Sequence, residues 1–275
     1  MPTKHKSRNL AVIGLLLLKA SPAFAWVFLP ESKHQRFQTY GLFIDDQTTL
    51  IQQSGSRAWG ALGTSIALLA LEEGSESSQL VLTASVNTAF RLGESLDPET
   101  ADARVSLKWE VALSPDWLLS IGFNHASGHV NDDVIDKDLE TLNVGVETFP
   151  FRLIYQGNPY FRPGLTFQPL FGSEPKTKAI QANQFLEIFP WGVASDYRRA
   201  TPFVAFGVEE FGHNRIDLSG HIQMGMFFGN HTREKHFNSL RVVLGGYTGQ
   251  DPRLKYYYYK DTRAKFVYAG FMFDI

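Results

Sequence analysis

The chain has 275 residues, a formal net charge of −2 and no cysteine. The near-neutral charge gives no argument for nucleic-acid binding, so nucleic acid is not expected as a partner. The lack of cysteine excludes disulfides, and stability must come from packing or from closure of a sheet.

Residues 1–25 are predicted to be a signal peptide that is removed on export. Three basic residues within the first eight precede the apolar run Leu10–Leu18, which is too short to span a bilayer. Ala23-Phe24-Ala25 then places small residues at the two positions that a signal peptidase reads. An uncleaved anchor is the alternative, and Pro22, which breaks the run just before this site, argues against it. We expect cleavage after Ala25 and a mature domain over 26–275.

After residue 25 the dominant pattern is alternation of apolar and polar residues, which indicates β-strands with two different faces. The segment 215–228 shows it best, since its even positions are mostly apolar and its odd positions mostly polar. Helical periodicity is absent. In chain order, the alternation and the turn signals predict twelve strands, at 36–45, 57–71, 79–92, 102–113, 116–127, 139–149, 159–168, 179–189, 201–211, 215–228, 238–247 and 264–275.

Most of these strands are about ten residues long or longer, which is the length that a tilted strand needs to cross a membrane. A soluble sandwich or a lipocalin-like barrel would alternate as well. Two features favour the membrane: aromatic residues at many strand ends, as in an interfacial belt, and apolar alternation that continues through Phe271–Ile275. The sequence therefore predicts an all-β fold, a closed antiparallel transmembrane β-barrel of about twelve strands.

Such a barrel would lie in the outer membrane of a Gram-negative-type bacterium, surrounded by outer-membrane lipids. Barrel-assembly machinery would read its terminal strand during insertion. A barrel of this size is often filled by side chains. We expect ion pairs across the lumen and no wide pore, because the polar faces carry Asp102, Arg104, Lys108, Glu110, Glu147, Glu209, Arg215, Asp217 and Arg241.

Several short stretches resemble an uncharacterised outer-membrane family that is known only as a domain of unknown function. Members of that family carry a His-x-Ser-Ser-His stretch followed by acids, and Gly128 stands here where the second Ser is usual. The resemblance implies an integral outer-membrane barrel and no established activity. The matching stretches are Phe28–Pro30, His125–His129 with Asp132, Asp133 and Glu140, Tyr247–Pro252 and Phe266–Phe271.

His125-Ala126-Ser127 is also similar to the His-x-Ser core of outer-membrane phospholipase A and the lipid A deacylases. That resemblance implies a His and a Ser on the outside of the barrel, with an Asn or Glu from the next strand. Parity agrees, because His125 and Ser127 share a face with apolar residues such as Phe123. Glu140 opens the apolar face of the next predicted strand. The hypothesis assigns Ser127 as nucleophile, His125 as general base and Glu140 as the residue that orients the imidazole.

Two other interpretations of this region stay open. A strand-to-loop transition also places short polar residues and a carboxylate at the mouth of a barrel. Alternatively, His129, Asp132 and Asp133 together with His125 would suit zinc or manganese, and the carboxylates alone would suit calcium. Because the ligand spacing is not diagnostic, we expect a solvated acidic loop and no cofactor.

A basic and tyrosine-rich segment precedes the last predicted strand. In one interpretation it contacts lipopolysaccharide phosphates; in the other it forms an interfacial girdle. The residues assigned to lipid contact are Arg253, Lys255, Tyr256, Tyr258 and Lys260.

The function favoured by these observations is that of a structural or lipid-interacting outer-membrane barrel with a side-chain-filled lumen. Two alternatives remain. One is an acyl hydrolase that acts on phospholipid or lipid A through the lipid-facing triad. The other is a narrow channel for a small solute.

Overall fold

The computed structural model describes most of the chain from Ala25 onward. The predicted strand 36–45 and the predicted signal peptide, apart from Ala25, lie outside the described residues. Within the described part, no helix is long and apolar enough to cross a bilayer. The described residues are 25–28, 48–53, 55, 57–73, 76–93, 96–130, 143–176, 180–192, 200–212, 216–228 and 239–274.

These ranges form one antiparallel sheet of fourteen strands, with a short π-helix, Tyr256–Lys260, before the last strand. The strands are β1 (Ala25–Phe28), β2 (Thr48–Gln53), β3 (Arg57–Glu73), β4 (Glu76–Leu92), β5 (Leu96–Ser114), β6 (Trp117–Val130), β7 (Val144–Thr148), β8 (Phe151–Tyr155), β9 (Phe161–Glu174), β10 (Ile180–Ile188), β11 (Ala200–Gly212), β12 (Ile216–Phe228), β13 (Ser239–Gln250) and β14 (Arg263–Asp274).

The sheet closes into a barrel because β14 pairs with β2, and β2 pairs with β3. β7 and β8 occupy one position, since both pair with β6 on one side and with β9 on the other. β1 and β2 likewise share one side of β3. The described strands therefore fill twelve positions around the barrel, and the predicted closed barrel is confirmed. We call the end at which β6, β9, β11 and β13 finish the upper end, and the opposite end the lower end.

Three described strands, β1, β2 and β8, were not predicted, and the strand predicted at 139–149 is interrupted. β7 ends at Thr148 and β8 begins at Phe151 because Pro150, between them, has no N–H to donate to a sheet. The wall stays closed across the break. The Pro150 carbonyl accepts from the Gly122 N–H at 3.1 Å, and the Phe149 N–H donates to the Pro169 carbonyl at 3.0 Å.

The two faces of the wall are inverted relative to a soluble protein. Large apolar side chains such as Leu218 and Val267 are more than half exposed on the outside, whereas polar side chains such as Ser219 and Gln223 are buried inside. A soluble sandwich or a lipocalin-like barrel would bury its apolar face, so both alternatives are excluded. An apolar exterior around a polar interior is the pattern of a barrel that lipid surrounds.

The lower part of the lumen is packed with large side chains. Phe203, Phe227 and Met272 lie near the lower ends of their strands and belong to one buried cluster with Leu118 and Ile154. The Arg241 guanidinium is fully buried there and stacks over the Phe203 and Phe227 rings, with centroid distances of 5.9 and 5.6 Å. This packing fills space in the lower lumen, which disfavours a wide channel.

Polar pairs fill much of the remaining interior. Gln79 donates to Glu110 at 2.8 Å, and Arg162 forms a buried ion pair with Glu187. Of the charged residues assigned to the lumen, those on β5, β11, β12 and β13 do face inward; they are Asp102, Arg104, Lys108, Glu110, Glu209, Asp217 and Arg241. Arg215 lies outside the described residues, and Glu147 does not face the lumen.

Candidate functional site

An ionisable pair stands on the apolar outer face of the barrel. His125 on β6 and Glu147 on β7 are direct cross-strand partners, and His125 Nδ1 lies 3.1 Å from Glu147 Oε1. Their side chains are 43% and 30% exposed. Inward-facing neighbours on the same two strands, Ala126 and Val146, are buried, so the outward direction of the pair follows from the pleat.

The structure corrects the expected orientation of Glu147. Glu147 was predicted to face the lumen, but Val144 and Val146 take that face because they pack against the loop that enters the upper mouth. Glu147 is thereby turned outward, toward His125. Glu140, the acid assigned from the sequence, lies outside the described residues. The signal that could have identified Glu147 is its register opposite His125, which sequence alone does not provide.

Ser127 lies two residues beyond His125 on the same outer face and pairs with Gly145 of β7. Among the described residues, no hydrogen bond joins its hydroxyl to the His125 ring, whose partner is Glu147. A side chain at position 145 would meet nothing within 4 Å. Gly145 therefore leaves open space on the outer face beside Ser127, and we call this open space the notch.

A second glycine makes room for Glu147. A Cβ at Gly172, its partner on β9, would clash with Glu147 Oε2. Close to the pair, the Phe123 and Phe171 rings pack together on the outside, with centroids 5.7 Å apart. The His–Glu pair is thus placed beside an apolar aromatic surface near the upper ends of β6 and β9.

The proposed metal ligands are only partly described. His129 is exposed on the outer face of β6, while Asp132 and Asp133 lie outside the described residues. The described residues contain no group of three or more His, Asp or Glu side chains placed to hold a metal ion. The metal hypothesis for this loop is therefore untested.

The tyrosine-rich segment folds into the barrel, which corrects its predicted role. We call residues 251–262 the tyrosine loop. Arg253, Lys255 and Tyr256 are buried, and Tyr258 packs against the inner wall of β6 and β7. These four residues are not placed to contact lipopolysaccharide, and they do not form an outer girdle. Lys260 alone of the five assigned residues is exposed.

Charged contacts hold the tyrosine loop across the mouth. Arg253 donates to Asp251 at 2.9 Å and to Glu99 of β5 at 3.1 Å. Glu99 also accepts from Arg57 and Arg91, at 2.9 and 2.8 Å. This carboxylate is therefore the centre of an arginine cluster that links the loop to three strands.

Two hydrogen bonds outside the arginine cluster add to this attachment. The Leu254 N–H donates to Asp102 at 3.2 Å, and the Tyr259 hydroxyl donates to the Asn143 carbonyl.

Burial raises the pKa of Tyr257 to about 12, and the charges of Asp217 and Asp261 act in the same direction. Burial alone would lower the pKa of Arg253, but its hydrogen bonds to Asp251 and the charge of Glu99 outweigh burial and raise it.

A polar cavity of about 140 Å³ lies between the tyrosine loop and the inner wall of β5–β13. It extends to Tyr247, which also belongs to the buried cluster that contains Phe203 and Phe227. Its lining includes Arg104, Asn124, Arg152, Asn183, Glu209 and Gln250. None of these residues was proposed as a binding site from the sequence, because they are spread over separate strands.

The barrel has known structural counterparts. An active-site mutant of Escherichia coli outer-membrane phospholipase A superposes with a TM-score of 0.56 at 13% identity, covering 88% of this chain and 95% of that one. The chain shares the barrel fold of this protein. The KdgM porin gives a TM-score of 0.49 at 8% identity, covering 84% of this chain and 98% of that one.

Comparison of sequences adds no family. No protein-family model and no curated protein matches the chain. The resemblance to an uncharacterised outer-membrane family therefore stays a prediction.

Proposed function

We propose that this protein is an outer-membrane lipid acyl hydrolase, with Ser127 as nucleophile, His125 as general base and Glu147 as the acid that orients the imidazole. The substrate class is an acyl ester of a phospholipid or of lipid A. We take the lower end, where β1 begins and β14 ends, as the periplasmic side, as in bacterial barrels with an even number of strands. The upper end then faces outward, and the site lies at the level of the outer leaflet.

The observation that carries the proposal is the 3.1 Å contact between His125 Nδ1 and Glu147 Oε1 on the outer face. In Ser-His-Asp enzymes the acid takes this same ring nitrogen, which fixes the tautomer and leaves Nε2 to accept the serine proton. Ser127 is the hydroxyl on the same face, two residues along the strand. The carboxylate, the imidazole and the hydroxyl thus follow one another along the outer face, as acyl transfer requires.

The loss of stability that an ionisable pair causes on the lipid face supports a functional role for it. Ionisable side chains on the lipid face of a barrel are destabilising, and they are retained mainly where function requires them. His125 and Glu147 stand among exposed apolar side chains such as Val105, the partner of His125 on β5. Fatty acyl chains would pack on this surface, and the ester would reach Ser127 through the notch beside Gly145.

The mechanism is two-step acyl transfer. Ser127 attacks the ester carbonyl while His125 takes its proton; His125 then protonates the leaving alcohol, and water hydrolyses the acyl-enzyme with His125 again as base. The hydrogen bond between Ser127 and His125 is expected to form when a substrate binds, since catalytic contacts are often longer in the free enzyme.

The test is release of fatty acid from phospholipid in mixed micelles. Ser127→Ala is expected to lower the rate by about 10³-fold or more, and Glu147→Ala by about 10²- to 10⁴-fold. His129→Ala is the matched control, because His129 is an exposed histidine on the same face of β6 with no described acidic partner. Equal release by wild type and Ser127→Ala, or no release by either with phospholipid and lipid A, would contradict the proposal.

A further inference from the structure

The cavity beneath the tyrosine loop has the properties of a ligand site that is separate from the outer face. A volume of about 140 Å³ is room for roughly ten water molecules. Polar atoms of its lining lack a partner, among them Asn124 Oδ1, Asn183 Oδ1 and both side-chain polar atoms of Gln250. Buried amides without partners are costly, and a bound molecule with hydroxyl groups would satisfy them.

The charges around the cavity favour an anion. Arg104 lies close enough to Glu209 to interact with it electrostatically, and Asp251 is paired with Arg253. Arg152, on the inner face of β8, donates to the neutral Thr166 hydroxyl at 3.1 Å. Among the described residues, no carboxylate lies within ion-pair distance of Arg152. Its guanidinium is therefore a cation with donors to spare in a polar, enclosed space.

We propose that this cavity binds a small anionic solute that carries hydroxyl groups, with Arg152 holding its carboxylate or phosphate and the amides of Asn124, Asn183 and Gln250 holding its hydroxyls. A planar guanidinium suits either anion, since it can donate two parallel hydrogen bonds. Large side chains pack the lower lumen on the far side of the cavity, so we expect the solute to enter past the tyrosine loop. The loop must move for the solute to enter.

Isothermal titration of the full mature barrel in detergent with D-glucuronate, glucose 6-phosphate and glucose tests the proposal. At least one of the two anions is expected to bind, and neutral glucose to bind at least about tenfold more weakly. The two anions separate a carboxylate preference from a phosphate preference. Equal binding of glucose and both anions, or no binding of either anion at millimolar concentration, would overturn the proposal.

Variants locate the site. Arg152→Gln is expected to weaken anion binding by roughly ten- to a hundredfold, and Arg152→Lys to retain part of it. Arg263→Gln is the matched control, because Arg263 is an exposed arginine that does not line the cavity. Ala126→Leu, on the cavity wall, should abolish binding by filling the space. Heat-modifiable gel mobility shows that each variant is folded. Unchanged binding in both Arg152→Gln and Ala126→Leu would place the anion elsewhere and refute the assignment.

Because these measurements record binding in the lumen, they do not depend on acyl hydrolysis at Ser127. Loss of hydrolysis with retained anion binding would contradict only the proposed function. The reverse result would contradict only the lumen site.

Discussion

The two faces of the strand pair β6–β7 serve different surroundings with residues that alternate along the chain. The outer face carries His125, Ser127 and Glu147, whereas the inner face carries Asn124 and Val146, which line the cavity. Residues that are adjacent along the strand therefore lie on opposite sides of the wall. A substitution on the outer face should therefore affect acyl hydrolysis, and a substitution on the inner face should affect binding in the lumen.

The largest expected difference between the faces concerns stability. Phe227 is 1% exposed in the packed lower lumen, and its neighbour Phe228 is 40% exposed toward lipid. Phe227→Ala should lower the free energy of unfolding by about 3–5 kcal/mol, as in a protein core. Phe228→Ala should cost clearly less, because lipid fills the space it leaves. Urea titration of the barrel in vesicles measures the free energy of unfolding of both variants. Equal losses would contradict the difference between the two faces.

The next prediction concerns the space around the outer pair. Gly172→Val should push the Glu147 carboxylate away from His125, since a Cβ at this position would clash with Glu147 Oε2. We expect acyl release to fall by roughly ten- to a hundredfold, a loss smaller than that from removing the acid. Gly220→Ala on β12 is the control, because it lies away from the pair and its Cβ would come no closer than 3.9 Å to the Gly207 carbonyl. Comparable rates in Gly172→Val and Gly220→Ala would show that Glu147 does not act through this contact.

A disulfide can test the inner face. The Cβ of a residue at Gly128 would lie 3.0 Å from the Leu254 Cβ of the tyrosine loop. A disulfide spans roughly 3.5–4.5 Å between Cβ atoms, so the loop would have to shift slightly outward from the wall. The chain has no cysteine of its own, so Gly128→Cys with Leu254→Cys should form one bond after a small adjustment. Oxidation should slow binding of the lumen ligand, and reduction should restore it. Failure of this pair to form a bond would contradict an inward position of the loop.

The smallest expected effect is a change in titration. Because burial raises the pKa of Tyr257 to about 12, its neutral form stabilises the closed loop. This contribution is present below the ordinary tyrosine pKa near 10, and it is lost as pH rises through the folded value. A difference absorbance titration of wild type against Tyr257→Phe should show the missing step near pH 12. A missing step at the ordinary tyrosine pKa, about 10, would indicate an exposed loop.

Alternation alone predicts much of the fold. It identifies most of the described strands, though not β1, β2 and β8, and it predicts the apolar outer faces of β5, β6 and β12. Where the lumen beside a strand is apolar as well as the lipid outside, alternation does not tell which face of the strand points outward. The alternation predicts that Val144 and Val146 face lipid, but they pack inside against the tyrosine loop. The error over Glu147 follows directly from this.

The position of the tyrosine loop could not be predicted for a similar reason. A basic and aromatic composition fits a membrane surface as well as a barrel mouth. What decides between them is the contact of Arg253 with Glu99, two residues separated by 154 positions in the chain. Long-range ion pairs of this kind depend on closure of the barrel, and a single sequence carries no local signal for them.

The central claim, that Ser127 is an activated nucleophile on the lipid face, can be tested by covalent labelling. A fluorophosphonate with an alkyl chain, added to the folded barrel in micelles, should modify Ser127, as identified by mass spectrometry of its peptide. Labelling should be absent in Ser127→Ala, strongly slowed in His125→Ala and Glu147→Ala, and unchanged in His129→Ala. A folded wild-type barrel that takes no label at Ser127, or one labelled equally fast without Glu147, would contradict the account.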